Sequence, residues 1–477
     1  MRKPVQVQRT QPSPRSNKVP TAKKKRSQSP NWFLIGLGLS GVAMLSATAG
    51  ALLAVTLSSK PLQVSPDTPE QSAAFNEEET ISKQAPLQLP KLTRPVNILV
   101  LGTKVLSSDL GQSPREMGGY HARVNSFKGL TDTMLLMRFN PNSDDLSILS
   151  IPRDTPVYLP GHGRVKINTA NQRGGAALSA EAISGLLEDV PIDRYVRVNV
   201  QGVEKLIDAL GGVEFYVPKD MKYRDDSQHL YIDIKKGRQR LDGETAVNFM
   251  LFRHDEYGDI GRVQRQQLLI RAVIEQALNP ATLARVPNIF SVIQSNVDTN
   301  LSVEELLALA GFAAKRDQKN IEMLMLPGRF GEIEDKEQER EISYWLPNHR
   351  QIDQMMARNF DIGRVSSTNR DQVSPYIRIA IQDSTENRSA VRSLDRALKE
   401  EGFRNVYVAS EWGEPLSKTR IIAQNGNIEA AEAVADALGV GEVFVESTGA
   451  LDSTVSIQLG QDWVTRQRAL ENRDSLD

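Results

Sequence analysis

The segment 253–267 carries the side chains with the clearest chemical potential. Three arginines, three carboxylates and three glutamines fall within it, two glycines lie close to Asp259, and an apolar helical pattern follows at 268–274. Arginine suits phosphate because its planar guanidinium donates two parallel hydrogen bonds and stays charged. A carboxylate beside it can ligate a divalent metal or accept a proton. The combination is typical of a polyphosphate site, and from this segment alone a salt-bridged helix start is an equal alternative.

Three further clusters carry charged or amide side chains, two of them next to predicted strands and the third in a predicted loop. Their members are Asp132, the pair Arg153 and Asp154, and the pair Lys166 and Asn168. The first precedes a predicted strand at 133–139, and the second follows a predicted strand at 146–151. Ligands of open α/β sheets bind at strand ends, so the clusters supply a metal ligand, fixed cations and a base. Taken singly, each is more often structural, because a strand-end aspartate commonly caps a turn.

The elements that must position these groups alternate between strand and helix over residues 95–280, which predicts an α/β fold with helices packed on a sheet. Residues 281–365 are predicted to be a mostly helical extension, with helices at 297–314 and 341–356. Residues 375–462 show the order βαββαβ of small α+β domains, and 463–477 are expected to be a tail. This C-terminal region has almost no cluster of catalytic residue types, which favours a binding or spacer module.

The N-terminal region predicts a membrane anchor. Residues 1–31 hold nine Lys/Arg and no Asp or Glu, which is typical of a disordered tail. Residues 32–57 have no charge and are long enough to form a transmembrane helix; a cleaved signal peptide is the competing interpretation. The positive-inside rule puts the tail in the cytoplasm and the bulk of the chain outside. Residues 58–94 are expected to be a linker.

Charge and cysteine content exclude several classes of function. Without the nine basic residues of the tail, 49 of the 58 basic residues remain against 59 acidic ones, a net charge of −10. An acidic exterior argues against nucleic acid as a partner. The chain has no cysteine, so disulfides, zinc-thiolate sites and thiol nucleophiles are excluded.

The clusters together resemble the signatures of the LytR-CpsA-Psr family of bacterial cell-envelope proteins, over about residues 95–280. The matching motifs are Asp132-Thr133-Met134, Ser150-Ile151-Pro152-Arg153-Asp154, Lys166-Ile167-Asn168, Asp208-Ala209-Leu210-Gly211-Gly212-Val213-Glu214, and Asp259-Ile260-Gly261-Arg262 followed by Arg265-Gln266. Residues 375–462 resemble the extra domain often attached to these proteins. The resemblance implies a central mixed sheet in an α-β-α arrangement.

It also implies an extracytoplasmic phosphotransferase that moves a glycopolymer from a polyprenyl-diphosphate lipid to a cell-wall acceptor such as peptidoglycan. A hydrolase of the same diphosphate and a non-catalytic, regulatory protein that binds lipid diphosphates are the alternatives. The implied partners are therefore the lipid-linked glycan, the acceptor glycan and the membrane.

The resemblance assigns roles residue by residue. The expected catalytic residues are Asp132, Arg153, Asp259 and Arg262. The expected diphosphate ligands are Arg153, Lys166, Arg253, Arg265 and Gln266. Asp132 and Asp259 are expected to hold Mg²⁺, or Mn²⁺, and Asp259 is alternatively the base that activates the acceptor hydroxyl.

Three positions depart from the family pattern. Leu130 and Leu251 stand where the family often has arginine, and Lys104 stands where it commonly has aspartate. A lysine can bind phosphate but cannot ligate Mg²⁺. Arg123 or Arg138 is a candidate to compensate for the missing arginines.

Overall fold

A computed structural model describes residues 73–76, 79–83, 90–104, 126–252, 258–313, 321–335, 340–363 and 374–474. The predicted tail at 1–31, the predicted transmembrane helix at 32–57 and most of the linker at 58–94 lie outside these residues. Within the described ranges, no helix combines the length and the apolar character needed to cross a membrane.

The elements up to residue 252 are β1 (Ser82–Lys83), β2 (Lys91–Leu92), β3 (Val96–Thr103), β4 (Thr131–Asn140), β5 (Asp145–Ser150), β6 (Pro156–Leu159), β7 (Gly163–Lys166), α1 (Ala170–Leu186), β8 (Arg194–Asn199), α2 (Val200–Leu210), β9 (Val213–Val217), β10 (Met221–Asp225), β11 (Leu230–Ile234), β12 (Gly237–Leu241) and α3 (Gly243–Leu251). From residue 258 to 359 follow α4 (Gly258–Leu278), α5 (Val286–Asn296), β13 (Val297–Thr299), α6 (Val303–Ala313), β14 (Ile321–Met325), β15 (Gly328–Asp335), β16 (Arg340–Pro347) and α7 (His349–Asn359). Short 3-10 helices occupy Ile167–Thr169, Pro280–Arg285 and Gln424–Gly426.

Six strands form the central sheet in the order β13-β8-β3-β4-β5-β14. Strand β3 is antiparallel to β4 and parallel to β8, and β14 is parallel to β5, so the predicted mixed sheet is confirmed. Because β4 and β5 are antiparallel, with Leu135 opposite Ser150, the start of β4 and the end of β5 meet at one end of the sheet.

Both faces of this sheet are covered, which explains the near-continuous apolar runs of its strands. Alternate residues such as Leu99 and Leu136 enter a core that includes α1. The intervening residues, such as Ile98 and Leu135, enter a separate core with Phe312 of α6. The sheet is therefore the middle layer of an α-β-α arrangement.

The region 281–365 is not the helical extension expected from the sequence. It supplies both edge strands of the central sheet, β13 and β14. The helix predicted at 297–314 begins only at Val303, after β13. The helix predicted at 341–356 begins at His349, because residues 340–347 pair with β15 and place Trp345 opposite Phe330. Strand pairing with distant segments overrides the local helical pattern.

The C-terminal region contains β17 (Arg378–Asp383), α8 (Arg388–Glu400), β18 (Asn405–Val408), β19 (Arg420–Ala423), α9 (Ile428–Leu438), β20 (Glu442–Val445), β21 (Val455–Leu459) and α10 (Gln461–Asp474). The predicted order βαββαβ is present, followed by one more strand and one more helix.

The added elements complete this second sheet rather than trail from it. Its order is β18-β17-β21-β19-β20, so the last strand in the chain lies in the middle. The predicted tail at 463–477 is wrong as far as residue 474, since α10 buries Trp463 and Val464. One hydrophobic cluster includes Leu326 and Phe360 as well as Ile379 and Ile457, so the two sheets share a continuous core.

Candidate functional site

Four of the predicted site residues meet at the end of the central sheet where β4 starts and β5 has just ended. The Arg153 guanidinium donates from Nη1 to Asp132 Oδ1 at 2.8 Å and from Nε to Asp154 Oδ2 at 3.3 Å. Lys166 Nζ lies 2.8 Å from the other carboxylate oxygen of Asp154. Three sequence-distant segments thus form one linked series of charges, Lys166–Asp154–Arg153–Asp132.

Backbone and hydroxyl hydrogen bonds hold the segments in this arrangement. Thr131 Oγ1 donates to the carbonyl of Asn168 at 3.3 Å, and the Asn168 amide donates to the carbonyl of Arg153 at 3.3 Å. The loop after β5 closes on itself, because Thr155 Oγ1 donates to the carbonyl of Pro152 at 2.7 Å. The positions of the charged side chains are therefore set by the start of β4 and by two loops that these hydrogen bonds hold in place.

The linked charges are half-buried, which leaves them accessible to a ligand. The side chains of Asp132, Arg153, Asp154 and Lys166 are 20%, 24%, 11% and 31% exposed. In these surroundings a charge interacts more strongly than it would in bulk water. A bound diphosphate can accept hydrogen bonds from Arg153 and Lys166 in place of the carboxylates that accept them now.

The sequence interpretation missed the contribution of β16 to this site. Lys166 Nζ lies 5.6 Å from the centre of the Tyr344 ring, a cation–π contact. The Trp345 amide donates to the carbonyl of Asp154 at 3.0 Å. Polar and apolar residues alternate over 341–344, which is a strand signal and was the available clue.

Helix α4 brings a second group of predicted residues to the same end of the sheet. Arg262, Arg265 and Gln266 are buried, and Gln266 Nε2 donates to the carbonyl of Asp132 at 3.5 Å. The neighbouring Gln267 anchors the helix, since its Nε2 donates to the carbonyl of Leu324 on β14 at 3.2 Å. The helix therefore crosses directly beside Asp132.

Arg265 is bound to the chain that precedes the predicted diphosphate ligand Arg253. Its Nη2 donates to the carbonyl of Phe252 at 2.5 Å, and its guanidinium lies 5.7 Å from the centre of the Phe252 ring. Arg253 itself lies outside the described residues. Of Asp259, only the backbone position in the first turn of α4 is described.

The three departures from the family pattern have different surroundings. Leu130 is 37% exposed, two residues before Asp132. Leu251 is buried in the apolar cluster around α2 and α3, so this position contributes packing. Lys104 follows β3 at the same end of the sheet and donates to Gln228 Oε1 at 2.6 Å.

The described residues include one of the two proposed compensating arginines, and it lies away from this site. Arg138 lies near the far end of β4, where Nη1 donates to Asn97 Oδ1 at 3.2 Å and Nη2 pairs with Asp361 at 2.5 Å. The expectation that Arg138 replaces a lost phosphate ligand is therefore wrong. Arg123 lies outside the described residues.

The fit of the site to Mg²⁺ rests on its oxygen ligands. No group of three or more histidine, aspartate or glutamate side chains that could hold a metal occurs among the described residues. Asp132 fits one coordination position, although its Oδ1 also accepts from Arg153. Mg²⁺ commonly takes one or two carboxylates together with substrate phosphate oxygens and water. The described residues therefore fit a metal whose other ligands come from a bound diphosphate.

Comparison with known proteins places these features in a family. Residues 65–361 match the model of the LytR_cpsA_psr family, so the matched region extends past the boundary expected at 280. Residues 376–463 match a second model, described as LytR cell envelope-related transcriptional attenuator.

Individual relatives show the extent of the likeness. The chain is 33% identical over 208 residues to the polyisoprenyl-teichoic acid–peptidoglycan teichoic acid transferase TagV of Bacillus subtilis (strain 168), covering 42% of this chain and 52% of that relative. It is 30% identical over 296 residues to the transferase of the same description, TagU, from Bacillus cereus (strain ATCC 14579), covering 61% of this chain and 86% of that relative. The crystal structure of B. subtilis TagV matches with a TM-score of 0.44 at 28% identity, over 54% of this chain and 93% of that one.

Proposed function

The chain belongs to the LytR-CpsA-Psr family, and we propose that it is an extracytoplasmic phosphotransferase that moves a glycopolymer from a polyprenyl-diphosphate lipid to a cell-wall acceptor such as peptidoglycan. The observation that carries the proposal is the linked series Lys166–Asp154–Arg153–Asp132 at one end of the sheet. The relatives are named for teichoic acid transfer between polyisoprenyl-teichoic acid and peptidoglycan, which supports the same class of reaction here.

The reaction exchanges one phosphorus–oxygen bond for another. The acceptor hydroxyl oxygen bonds to the sugar-linked phosphorus, and the bond from that phosphorus to the bridging oxygen breaks. Polyprenyl phosphate leaves with the electron pair, and the hydroxyl proton passes to a base. Since the diphosphate is already activated, no nucleotide is consumed, and the protein's task is positioning and charge stabilisation.

Arg153 and Lys166 are suited to stabilising the negative charge that grows on the phosphate oxygens. Both side chains are held in place before substrate arrives, Arg153 by two carboxylates and Lys166 by Asp154 and the Tyr344 ring. Donors that need no reorganisation stabilise a transition state best. Arg265 supports the site by holding the carbonyl of Phe252, next to Arg253.

We assign the metal and base roles to the two aspartates. Asp132, beside Arg153, would hold Mg²⁺ or Mn²⁺ together with the donor's own oxygens, and Asp259 would act as the second ligand or as the base. When bound, the metal neutralises charge on the diphosphate. Calorimetry with Mg²⁺ should detect binding only when a diphosphate analogue is present; activity should fall with EDTA and return with Mg²⁺ or Mn²⁺. Activity that is insensitive to EDTA, with no donor-dependent binding, would remove the metal from the proposal.

The proposal includes a membrane location with the bulk of the chain outside. It rests on the uncharged run 32–57 and on the basic residues before it. Protease added to intact spheroplasts should digest the part beyond residue 60. Protection of that part would show that it lies on the inner side of the membrane, where an exterior acceptor is out of reach, and would contradict the proposal.

The reaction is tested with the full-length chain in detergent micelles, a lipid-diphosphate-linked oligosaccharide as donor, and peptidoglycan fragments as acceptor. We expect polyprenyl monophosphate and a phosphodiester-linked product to appear together, and only when acceptor is added. Release of lipid phosphate together with free oligosaccharide phosphate, even when acceptor is present, would identify a hydrolase. Donor binding without bond cleavage would identify a binding protein.

A further inference from the structure

A cleft of about 1010 Å³ separates the first part of α4 and strands β9 and β12 from the C-terminal sheet and its loops. The side of the cleft nearest the diphosphate site is lined by Gly261, Gln264 and Arg265, from the same turns of α4 that carry Arg262 and Gln266. The cleft therefore begins where the proposed phosphate site ends.

The two walls are fastened to each other by buried contacts. Glu446, just after β20, pairs with Arg271 of α4 and with Arg420 of β19, the latter at 2.9 Å. Gln264 Nε2 donates to the carbonyl of Gly449 at 2.7 Å. Breaking a buried ion pair of this kind strongly destabilises a structure. The cleft is thus a built feature with fixed walls.

On its other side the cleft is closed by the loop 410–417. Arg238 of β12 pairs with Glu414 across the gap. Gly413 packs so closely on Pro218 that an added Cβ would lie 2.6 Å from the proline Cβ. Only glycine permits this approach, and the contact holds the neighbouring Trp412 at the cleft.

Two polar groups at the cleft lack protein partners. Trp412 lines it, and its buried indole Nε1 has no hydrogen-bond acceptor among the described residues. Gln382, only 6% exposed, also lines it, and its Oε1 has no donor within the same described residues. The two lie on adjacent chain segments, since the Trp412 amide donates to the carbonyl of Asp383 at 2.8 Å. An unmatched donor and an unmatched acceptor suit a ligand whose groups both accept and donate.

The charges of the lining argue for an uncharged ligand. Eight carboxylates and seven cationic side chains line the cleft. Several are already neutralised in pairs, such as Lys418 with Glu442 at 2.7 Å. A polyanion requires an excess of positive charge, and the cleft does not offer one. The lining also includes the Trp412 and Phe444 rings, which are flat apolar surfaces.

We propose that this cleft binds the uncharged sugar backbone of the acceptor glycan and delivers its hydroxyl past Arg265 to the diphosphate. A sugar ring has one apolar C–H face for the Trp412 ring and a rim of hydroxyls for the Trp412 Nε1 and the Gln382 Oε1. The inference rests on the proposed transferase function and gives the C-terminal domain a place in it, as a wall of the acceptor site.

The test uses the full-length chain in micelles and three variants, Trp412→Ala, Trp412→Phe and Tyr376→Ala. Tyr376 is an exposed aromatic residue of the same domain that does not line the cleft, so it is the matched control. The probe is a soluble N-acetylglucosamine oligomer, which is an uncharged sugar chain, and binding is measured by calorimetry without any donor. Thermal unfolding of each variant shows whether it remains folded.

We expect Trp412→Ala to weaken glycan binding by about tenfold or more, the contribution of one stacked aromatic ring with its hydrogen bond. Trp412→Phe keeps the ring and loses the N–H, so it should weaken binding by about threefold. Tyr376→Ala should bind like the natural chain. In the transfer assay, Trp412→Ala should raise the acceptor KM by a similar factor and leave donor binding unchanged.

Equal binding by Trp412→Ala and Tyr376→Ala in folded protein would overturn the proposal, as would absence of glycan binding by the natural chain. Loss of binding to an anionic glycopolymer instead of the uncharged oligomer would reassign the cleft to the donor and also overturn it. Because glycan binding is measured without donor, a chain that binds glycan through Trp412 but transfers nothing would contradict only the proposed function.

Discussion

At one end of the central sheet, the ion-paired side chains of Arg153 and Asp132 are 24% and 20% exposed; at the other, those of Arg194 and Glu305 are 6% and 11% exposed. Each pair joins an arginine to a carboxylate at 2.8 Å. The difference is what surrounds them. Arg194 also donates to the carbonyls of Asn76 and Asp193, at 3.0 and 2.8 Å, so protein groups enclose it.

The contrast distinguishes two groups of charges. The accessible charges form the candidate site, and the enclosed ones, here called framing charges, hold elements of the structure together. The enclosed charges join elements together: Arg194 ties β8 to α6, and Arg138 ties β4 to Asp361 after α7. The half-buried charges at the other end link the start of β4, the loop after β5 and the end of β7, and part of each side chain remains accessible. We therefore propose that charged residues near strand ends serve binding at one end of the sheet and stability at the other.

The strongest test of this contrast compares Arg153→Ala with Arg138→Ala. We expect Arg153→Ala to lower the transfer rate by about 10²–10³-fold, because a positioned donor to the growing phosphate charge is lost. Its thermal unfolding midpoint should stay close to that of the natural chain. Arg138→Ala should retain the specific activity of the folded fraction. Near-full activity of Arg153→Ala would place the diphosphate elsewhere.

The opposite pattern is expected for Arg194→Ala. Removing this guanidinium leaves the Glu305 carboxylate buried without its ion-pair partner, which should cost about 3 kcal/mol in the free energy of unfolding. Urea unfolding measures the loss, and transfer by the remaining folded protein should be unchanged. The double variant Arg194→Met with Glu305→Leu should recover much of the stability, since apolar replacements of a buried pair are often neutral. If Arg194→Ala lowers the free energy of unfolding by less than about 1 kcal/mol, the proposed stabilising role of this ion pair is wrong.

A smaller effect is expected at Lys166, the most exposed member of the linked series. Lys166→Met should lower transfer by about tenfold, because a partly exposed charged hydrogen bond is worth roughly 1.5 kcal/mol. Lys166→Arg should restore much of this activity. If the loss appears in stability rather than in rate, Lys166 belongs with the framing charges.

The smallest expected effect is a pH dependence of the free energy of unfolding. It arises from Glu322, at the end of the sheet that holds the framing charges. Burial raises the pKa of Glu322 above its ordinary value of 4.5, although hydrogen bonds from Ser147 and Asn359 act in the opposite direction. The folded state therefore keeps this proton over a pH range in which the unfolded state has lost it. The stabilisation is complete below the ordinary pKa and disappears as pH rises through the folded pKa. Urea unfolding across this range should show the decline, and Glu322→Gln should flatten it; identical slopes would contradict the assignment.

The sequence alone predicted much of the grouping of the candidate site residues, because their motifs lie at strand ends. Asp132 and Arg153 flank strands that are recognisable from short apolar runs, and antiparallel pairing of β4 with β5 brings the two together. Arg138 was misjudged for the reverse reason. Its type suggested phosphate, but the register puts it opposite Asn97, at the far end of the sheet.

The elements that were missed are those whose partners lie far along the chain. Strand β21 inserts between β17 and β19, and β13 closes one edge of a sheet whose centre is formed much earlier in the sequence. A three-residue strand such as β13 has too few residues to show a period. Its pairing with β8 is what makes it a strand.

The sequence by itself determined the α/β alternation, the clusters of arginine and aspartate, the acidic balance beyond residue 31 and the lack of cysteine chemistry, because these depend on residue type and short spacing. Tertiary structure decided which charges are accessible and which are enclosed, and how α4 and the C-terminal domain form a cleft. Exposure and pairing depend on contacts between residues far apart in the chain: Arg194 with Glu305, and Arg271 with Glu446, meet only in the folded protein.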